Sequence, residues 1–488
     1  ADGRELRVKG VGEGGNLGLT QRGRIEFARA GGKINTDAID NSAGVDCSDH
    51  EVNIKILLDR LVAAGELDRD ARNAVLVEMT GEVSELVLAD NRDQNAVLGI
   101  ARAHASSMTG VHGRLTTDLA RHGLDRDLEE LPDTAGFDSL EAGGLGLSSP
   151  ELATLLAHTK LNLTAEVLLT NLPDTATFAS RLPEYFPRPL RERFPEAIAG
   201  HPLRREIITT QLVNEMVDGA GMTYAFRLGE EMSAWPTDAV RAYAVTTAVF
   251  DLPALWAELR EPRIPTAMAD EIVLETRRLL DRASRWFLTN RPQPLAVGAE
   301  VARFATTVRA LRGELYGLLR GRERAAVQER SRQLGAAGVG AECAMRSGAL
   351  MYGYGLLDVV ELVELSERDR EPREPREVAE LYYALSEHLG IDLALTSVSA
   401  LERGDRWHAL ARLALRDDLY GSLRAITLDA LREAVPGTPV EDAIAQWEQS
   451  NASRLVRARA ALHEVGTAGQ LDLATLSVVS RQLRGLAR

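Results

Sequence analysis

The alternation of apolar and polar residues divides the chain into a short extended stretch followed by a long run of helices. Residues 6–11 (Leu-Arg-Val-Lys-Gly-Val) alternate with the two-residue period of a strand. Gly12-Glu13-Gly14-Gly15-Asn16-Leu17-Gly18 then turns the chain, and its four glycines in seven positions permit positive φ or close approach by a ligand. Thr20 is placed to cap a helix running to about Ala30, with Ile25, Phe27 and Ala28 as apolar positions and Gly31-Gly32 as the stop. Residues 33–41 read as a second strand. Strand, glycine turn, helix and strand form a βαβ crossover, the unit of parallel sheets.

Helical periodicity then takes over. Ser48-Asp49-His50-Glu51 fits a capping box, which starts a helix with Val52, Ile56, Leu57 and Leu61 on one face and an end near Gly65. Further helices are expected from about Asp70 to Leu88 and from about Gln94 to Arg121, with a loop over Leu131 to Gly146. Ser149 as N-cap, Pro150 at the first helical position and Glu151 start another helix, whose stripe is Leu152, Leu155, Leu156 and Thr159. Beyond this, prolines separate one helix from the next. Residues 296–334 read as one long helical stretch, and Arg368 to Arg376 as a solvated charged connector. No fixed-period repeat is present.

Composition narrows the class. A hydrophobic content of 45% over 488 residues suits a globular chain of two or three domains, and a net charge of −15 argues against nucleic-acid binding. Cys47 and Cys343 are the only cysteines, which points to a reducing, cytoplasmic compartment without disulfides. No apolar run approaches the roughly twenty residues of a membrane span, so no membrane partner is expected. The chain opens on Ala1-Asp2-Gly3-Arg4-Glu5 with neither Met nor a signal peptide, which fits a fragment.

Candidate chemistry gathers near the start. The glycine turn alone does not establish a nucleotide site, because G-x-G-x-x-G in its proper place is missing. Asn16 either contacts a ligand through its amide or simply tolerates the turn. Asn41, where a strand gives way to a helix, either reads a nicotinamide amide or closes an Asx turn. Ser48 reads as a helix N-cap, and free backbone N–H groups there would also attract a substrate carboxylate. His50 reads as an exposed first-turn histidine. The other histidines show no H-x-x-x-H or Cys/His pairing, so no metal site is expected. No serine sits in a G-x-S-x-G context, so no hydrolase is expected. His201-Pro202-Leu203-Arg204-Arg205-Glu206 opens a helix and reads as structural.

These residues carry a resemblance. Gly12-Glu13-Gly14-Gly15-Asn16 followed by Asn41-Ser42-Ala43-Gly44-Val45 looks like the EGAN…NAGGV pair near the end of the NAD domain of glutamate dehydrogenases. The longer stretches resemble the large bacterial NAD-specific members: residues 12–24, 34–46 and 48–58, then Gly146-Leu-Ser-Ser-Pro-Glu-Leu-Ala153, Tyr185-Phe-Pro187 and His201-Pro-Leu-Arg-Arg-Glu-Ile207. Ser42 and Ala43 depart from the general pattern and read as a subfamily trait.

The resemblance implies a mainly α fold, in which a short α/β segment, the end of a Rossmann-type NAD domain, precedes a large all-helical region. It implies domains over 1–100 (the C-terminal part of the catalytic, NAD-binding domain) and 101–488 (helical). NAD is the implied cofactor, with Gly14, Gly15, Asn16 and Asn41 as cofactor-binding residues: Asn16 near the nicotinamide ribose, Asn41 near the carboxamide. Ser48 corresponds to the serine that helps hold the side-chain carboxylate of glutamate, so L-glutamate and 2-oxoglutarate are the implied substrates. A homo-oligomer, tetramer or hexamer, is also implied. The family's catalytic lysines and aspartate are expected upstream, with no catalytic residue in this chain, so the chain alone is expected to be inactive. The alternative is a non-catalytic helical interaction or regulatory protein with a vestigial nucleotide-binding turn.

Overall fold

The computed structural model describes residues 2–15, 18–261, 263–401, 406–467 and 472–487, and the chain divides into two compact units. One comprises residues 1–244 and 287–297, the other 245–286 and 298–488. Asn16 lies outside the described residues. Among those described, the regular structure is helical apart from one isolated parallel β-bridge between Gly10 and Lys33.

The expected βαβ crossover is therefore reduced to its centre. Lys33 N donates to Lys9 O at 3.0 Å and Val11 N to Lys33 O at 2.9 Å, but neither segment extends into a strand. The chain instead turns helical at Asp37. Two lone extended segments bury too little to hold a ladder, since parallel strands are stable inside sheets covered on both faces.

In the first unit, α1 (Gln21–Arg29) starts where expected, because Thr20 Oγ1 accepts from Gly23 N at 3.1 Å. The single turn α2 (Asp37–Asp40) leads directly into α3 (Ser42–Ala63). The long α4 (Arg69–Ala103) packs against α3. Two helices had been expected over part of this span, but nothing at 89–93 breaks the ladder. After α5 (Thr109–Arg121), the expected loop contains α6 (Thr134–Ala142), started by Asp133 Oδ1, which accepts from Gly136 N at 2.8 Å.

Helix α7 (Ser149–Leu168) follows, with its cap one residue earlier than expected. Ser148 N donates to Glu151 Oε2 at 2.7 Å, completing a capping box around Ser148. Its stripe of Leu152, Leu155, Leu156 and Thr159 is buried, and each such leucine contributes about 1.5–3 kcal/mol. Four short helices come next, α8 (Ala176–Ala179), α9 (Leu182–Tyr185), α10 (Arg188–Arg193) and α11 (Pro195–Ala199). Then α12 (Arg204–Ala220) packs on α4 and α7.

The second unit is also helical. The stretch expected to be continuous from 296 to 334 is broken between Val297–Leu318 and Gly321–Ala336. Within the charged connector Arg373 is not solvated. Its side chain is buried, and its Nη2 donates to Leu431 O at 2.6 Å and to Ala434 O. A guanidinium satisfies orphan carbonyls at the C-terminal end of helix Arg406–Glu433. At the centre of this unit Asp358 accepts from Trp286 Nε1 at 2.8 Å, Tyr382 Oη at 2.9 Å and Arg424 Nη1 at 3.2 Å. No helix among the described residues is long and apolar enough to cross a membrane.

Burial pushes the α5 imidazole of His112 from 6.5 down to about 4. Between these values the unfolded chain takes up a proton that the folded chain refuses, so stability falls as pH drops through this window. The full effect is about 3 kcal/mol near the lower limit. His112→Leu should flatten the loss seen by urea denaturation from neutral pH downward, and an unchanged pH slope would show that His112 is not its source.

Candidate functional site

The glycine-rich turn is anchored from beneath by a buried ion pair. Glu13 accepts from Arg24 Nε at 2.6 Å and from Nη2 at 2.8 Å, a two-pronged contact between side chains 3% and 8% exposed. Arg24 also faces Asp37 Oδ1 at 3.3 Å. The Glu13 carboxylate also accepts from Leu19 N at 3.3 Å, across the turn, while Glu13 N donates to Asp40 Oδ2 at 3.1 Å. One glutamate thus joins the turn, α1 and α2. Sequence reading passed over it, because a carboxylate between glycines looks like a solvated loop residue.

Above this anchor Gly14 and Gly15 are exposed. Neither has a positive φ, and no atom lies within 4 Å of where a Cβ would stand on either. A positive φ is therefore not what glycine supplies at these two positions.

Asn41 sits between α2 and α3. Its amide lies over Gly44, where a Cβ would come 2.5 Å from Asn41 Oδ1. Ser48 is exposed, but it is not a helix cap. The helix begins at Ser42, and Ser48 Oγ donates one turn back to Gly44 O at 2.7 Å. The backbone N–H of Ser48 is therefore inside the helix and is not one of the free N–H groups that would attract a carboxylate. Residues 42–47 hold no proline, so the ladder runs straight through the apparent capping box. Gly44 is the shared support: Asn41 needs its missing side chain, and Ser48 uses its carbonyl.

His50 is buried, at 4% exposure, and not the exposed residue expected. It belongs to the packed face of α3, formed by His50, Asn53, Ile54, Leu57, Leu58 and Leu61, whereas Val52 is 52% exposed. Two polar members disguised this face in the hydrophobic pattern. Tyr185 stacks on His50 with ring centroids 4.5 Å apart. Its Oη accepts from Asn53 Nδ2 at 2.9 Å and donates to Asp49 Oδ2 at 3.1 Å. Burial pushes the Tyr185 phenol well above its usual range. His201 Nδ1 accepts from Leu203 N at 3.1 Å, so its Nε2–H donates to Asn53 O, also at 3.1 Å. Burial lowers the His201 pKa, in keeping with this neutral tautomer. As expected, the His201 segment is structural.

Other contacts close the region. Asn35 Nδ2 donates to Asp40 Oδ1 at 3.2 Å and to Asn95 Oδ1 at 3.0 Å, and Asn35 Oδ1 accepts from Ser149 Oγ at 2.9 Å. Arg29 Nη2 reaches Glu151 Oε1 at 3.0 Å, docking α1 on the start of α7. A cavity of about 410 Å³ opens where the two extended segments end, lined by Gly12, Lys33, Asn35, Asn95 and Arg102 among others. The structure also gathers Asp46, His50 and Asp90, whose ligating atoms lie within 4.8 Å of one another.

These features define a helical protein with exposed glycines in its N-terminal turn and, at the start of the helix α3, a carboxamide and a hydroxyl that share Gly44 as support. The family model "Glutamate dehydrogenase, C-terminal" matches residues 144–485, and "Bacterial NAD-glutamate dehydrogenase, catalytic domain" matches residues 1–101. The chain belongs to the glutamate dehydrogenase family. It is 52% identical over 485 residues to an NAD-specific glutamate dehydrogenase of Mycobacterium tuberculosis, covering 99% of this chain and 30% of that protein. The proteins of the same name from Pseudomonas aeruginosa and Halomonas elongata are 38% and 35% identical, each match covering 100% of this chain and 30% of the relative. The chain thus spans about 30% of the length of these curated relatives.

Breaking the buried ion pair on one side leaves the other charge uncompensated. Glu13→Gln should lower the stability of the first unit on the order of 3 kcal/mol and expose the turn to limited proteolysis. A urea midpoint and cleavage pattern like those of the parent chain would show that the turn is held by something else.

Proposed function

We propose that this chain forms one wall of the nicotinamide and glutamate site of an NAD-specific glutamate dehydrogenase. The reaction is L-glutamate, NAD⁺ and water to 2-oxoglutarate, ammonium, NADH and a proton. The observation that carries the reading is the shared support at Gly44. It sets the Asn41 amide and the Ser48 hydroxyl on one stretch of backbone, beside the glycine turn. The open space over Gly14 and Gly15 fits a cofactor approaching the backbone closely.

NAD, when bound, supplies the hydride acceptor. This chain's residues bind and orient. Gly14 and Gly15 border the cofactor, Asn16 lies near the nicotinamide ribose, and the Asn41 amide pairs with the carboxamide. Ser48 has one O–H to donate, spent on Gly44 O in the structure. Turning it to the glutamate side-chain carboxylate exchanges a neutral hydrogen bond for a charge-assisted one. The lysines and aspartate that activate substrate in the family are assigned to other residues of the whole protein, so the 488-residue chain alone forms no NADH.

The functional division at residue 100 is part of this reading, supported by the family matches over 1–101 and 144–485. The compact units need not follow it, since α7 and α12 pack against α4. The two extended segments joined at Gly10 and Lys33 are proposed to belong to a Rossmann-type sheet in the whole protein. A cytoplasmic homo-oligomer, tetramer or hexamer, follows from the family resemblance, with the helical region serving subunit packing or regulation.

The test is glutamate-dependent NADH formation by the longest native polypeptide containing this chain. Ser48→Ala should raise the glutamate KM on the order of tenfold or more, with a smaller change in kcat. Gly44→Ala and Asn41→Ala should both raise the KM for NAD, the former by displacing the Asn41 amide. No activity with any 2-amino acid would overturn the reading and leave the glycine turn as structure only. Measurable NADH formation by the 488-residue chain alone would overturn the assignment of the activating residues to other parts of the protein.

A further inference from the structure

Asp46 and His50 stand one helical turn apart on α3, and Asp90 faces them from α4. His50 Nε2 lies 3.7 Å from Asp90 Oδ2, beyond hydrogen-bonding reach, and His50 Nδ1 is buried without a hydrogen-bond partner. Asp46 Oδ2 is likewise buried without a partner. Two neighbouring carboxylates and an imidazole with no hydrogen bond of its own form a costly arrangement for a helix interface. A cation relieves much of this cost, because it gives one atom of each of the three side chains a partner.

We propose that Asp46, His50 and Asp90 bind one first-row divalent transition-metal ion, of the Zn²⁺ and Co²⁺ class, bridging α3 and α4. One imidazole nitrogen and two carboxylate oxygens form a mixed donor set that suits these ions, while Mg²⁺ and Ca²⁺ favour oxygen alone. Donor atoms about 2 Å from one cation lie no more than about 4 Å apart. The observed spread of up to 4.8 Å therefore needs only a small contraction of flexible side chains. The remaining coordination positions go to water. Tyr185, stacked on the ring, fixes the plane of His50 and covers one side. The i, i+4 pair is Asp-x-x-x-His and its third member is on the next helix, so a search for paired histidines or cysteines does not find it. The inference stands on these residues alone and does not depend on the dehydrogenase reading.

Asp46 and His50 flank Ser48 by two residues on either side, so a bound ion would also fix the segment that presents the Ser48 hydroxyl. The test is titration of the chain, purified with chelator, with Co²⁺, followed by visible absorption and calorimetry, and repeated with Mg²⁺ in excess. One Co²⁺ per chain should bind, be displaced by Zn²⁺ and resist Mg²⁺. His50→Gln and Asp90→Asn should each weaken binding by about tenfold or more, whereas His158→Gln, away from the cluster, should not. X-ray absorption of the Co²⁺-loaded unmutated chain should show a single imidazole in the first coordination sphere, a readout that needs no variant to fold. Absence of stoichiometric Co²⁺ binding, a coordination sphere without imidazole, or folded variants that bind as tightly as the parent would overturn the proposal.

Discussion

The arrangement of the N-terminal region depends on the buried contact between Glu13 and Arg24. Glycine-rich turns have the highest conformational entropy of any backbone, and nothing in their own side chains opposes it. Here one carboxylate, sunk under the turn, spends its oxygens on a guanidinium and on the backbone N–H of Leu19, while its own N–H is held by Asp40. Such a pair gains little over two apolar residues in net stability but is costly to disrupt. It therefore fixes geometry. The turn, the start of α1 and the single turn α2 are held as one piece, and α2 leads straight into the helix that carries Asn41, Gly44 and Ser48.

Helix α3 is the second organising element. Its packed face mixes leucines with His50 and Asn53. Asn53 receives Tyr185 at its side chain and His201 at its backbone carbonyl, from segments far along the chain. The two segments Tyr185-Phe186-Pro187 and His201-Pro202-Leu203 thus close over α3. Glu151 does the same for α1, its carboxylate serving both the capping box of α7 and Arg29.

The second unit offers a contrast. Two of its buried charges find partners within the unit, Asp358 in an indole, a phenol and a guanidinium, and Arg373 Nη2 in carbonyls at a helix end. Burial holds the Asp358 carboxyl above its usual range, which three donors only partly oppose. A hydrogen-bonded network such as that around Asp358 favours one packing of the helices that share it.

By itself the sequence determined the helical character of the chain, the start of α1 at Thr20 and the buried stripe of α7, because caps and 3.6-residue periodicity are local properties. It also carried the family likeness through its motifs. Tertiary structure decided what depends on residues distant in sequence. Extended segments did not become strands, since a parallel ladder needs neighbours that local alternation does not supply. Ser48 left its apparent cap because Asn41 and α2 start the helix earlier. His50 and Arg373 went inside because Tyr185, Asp90 and the carbonyls of a distant helix end were there to receive them. Local patterns fix which elements form, and the partners that make a polar group worth burying come from elsewhere in the chain.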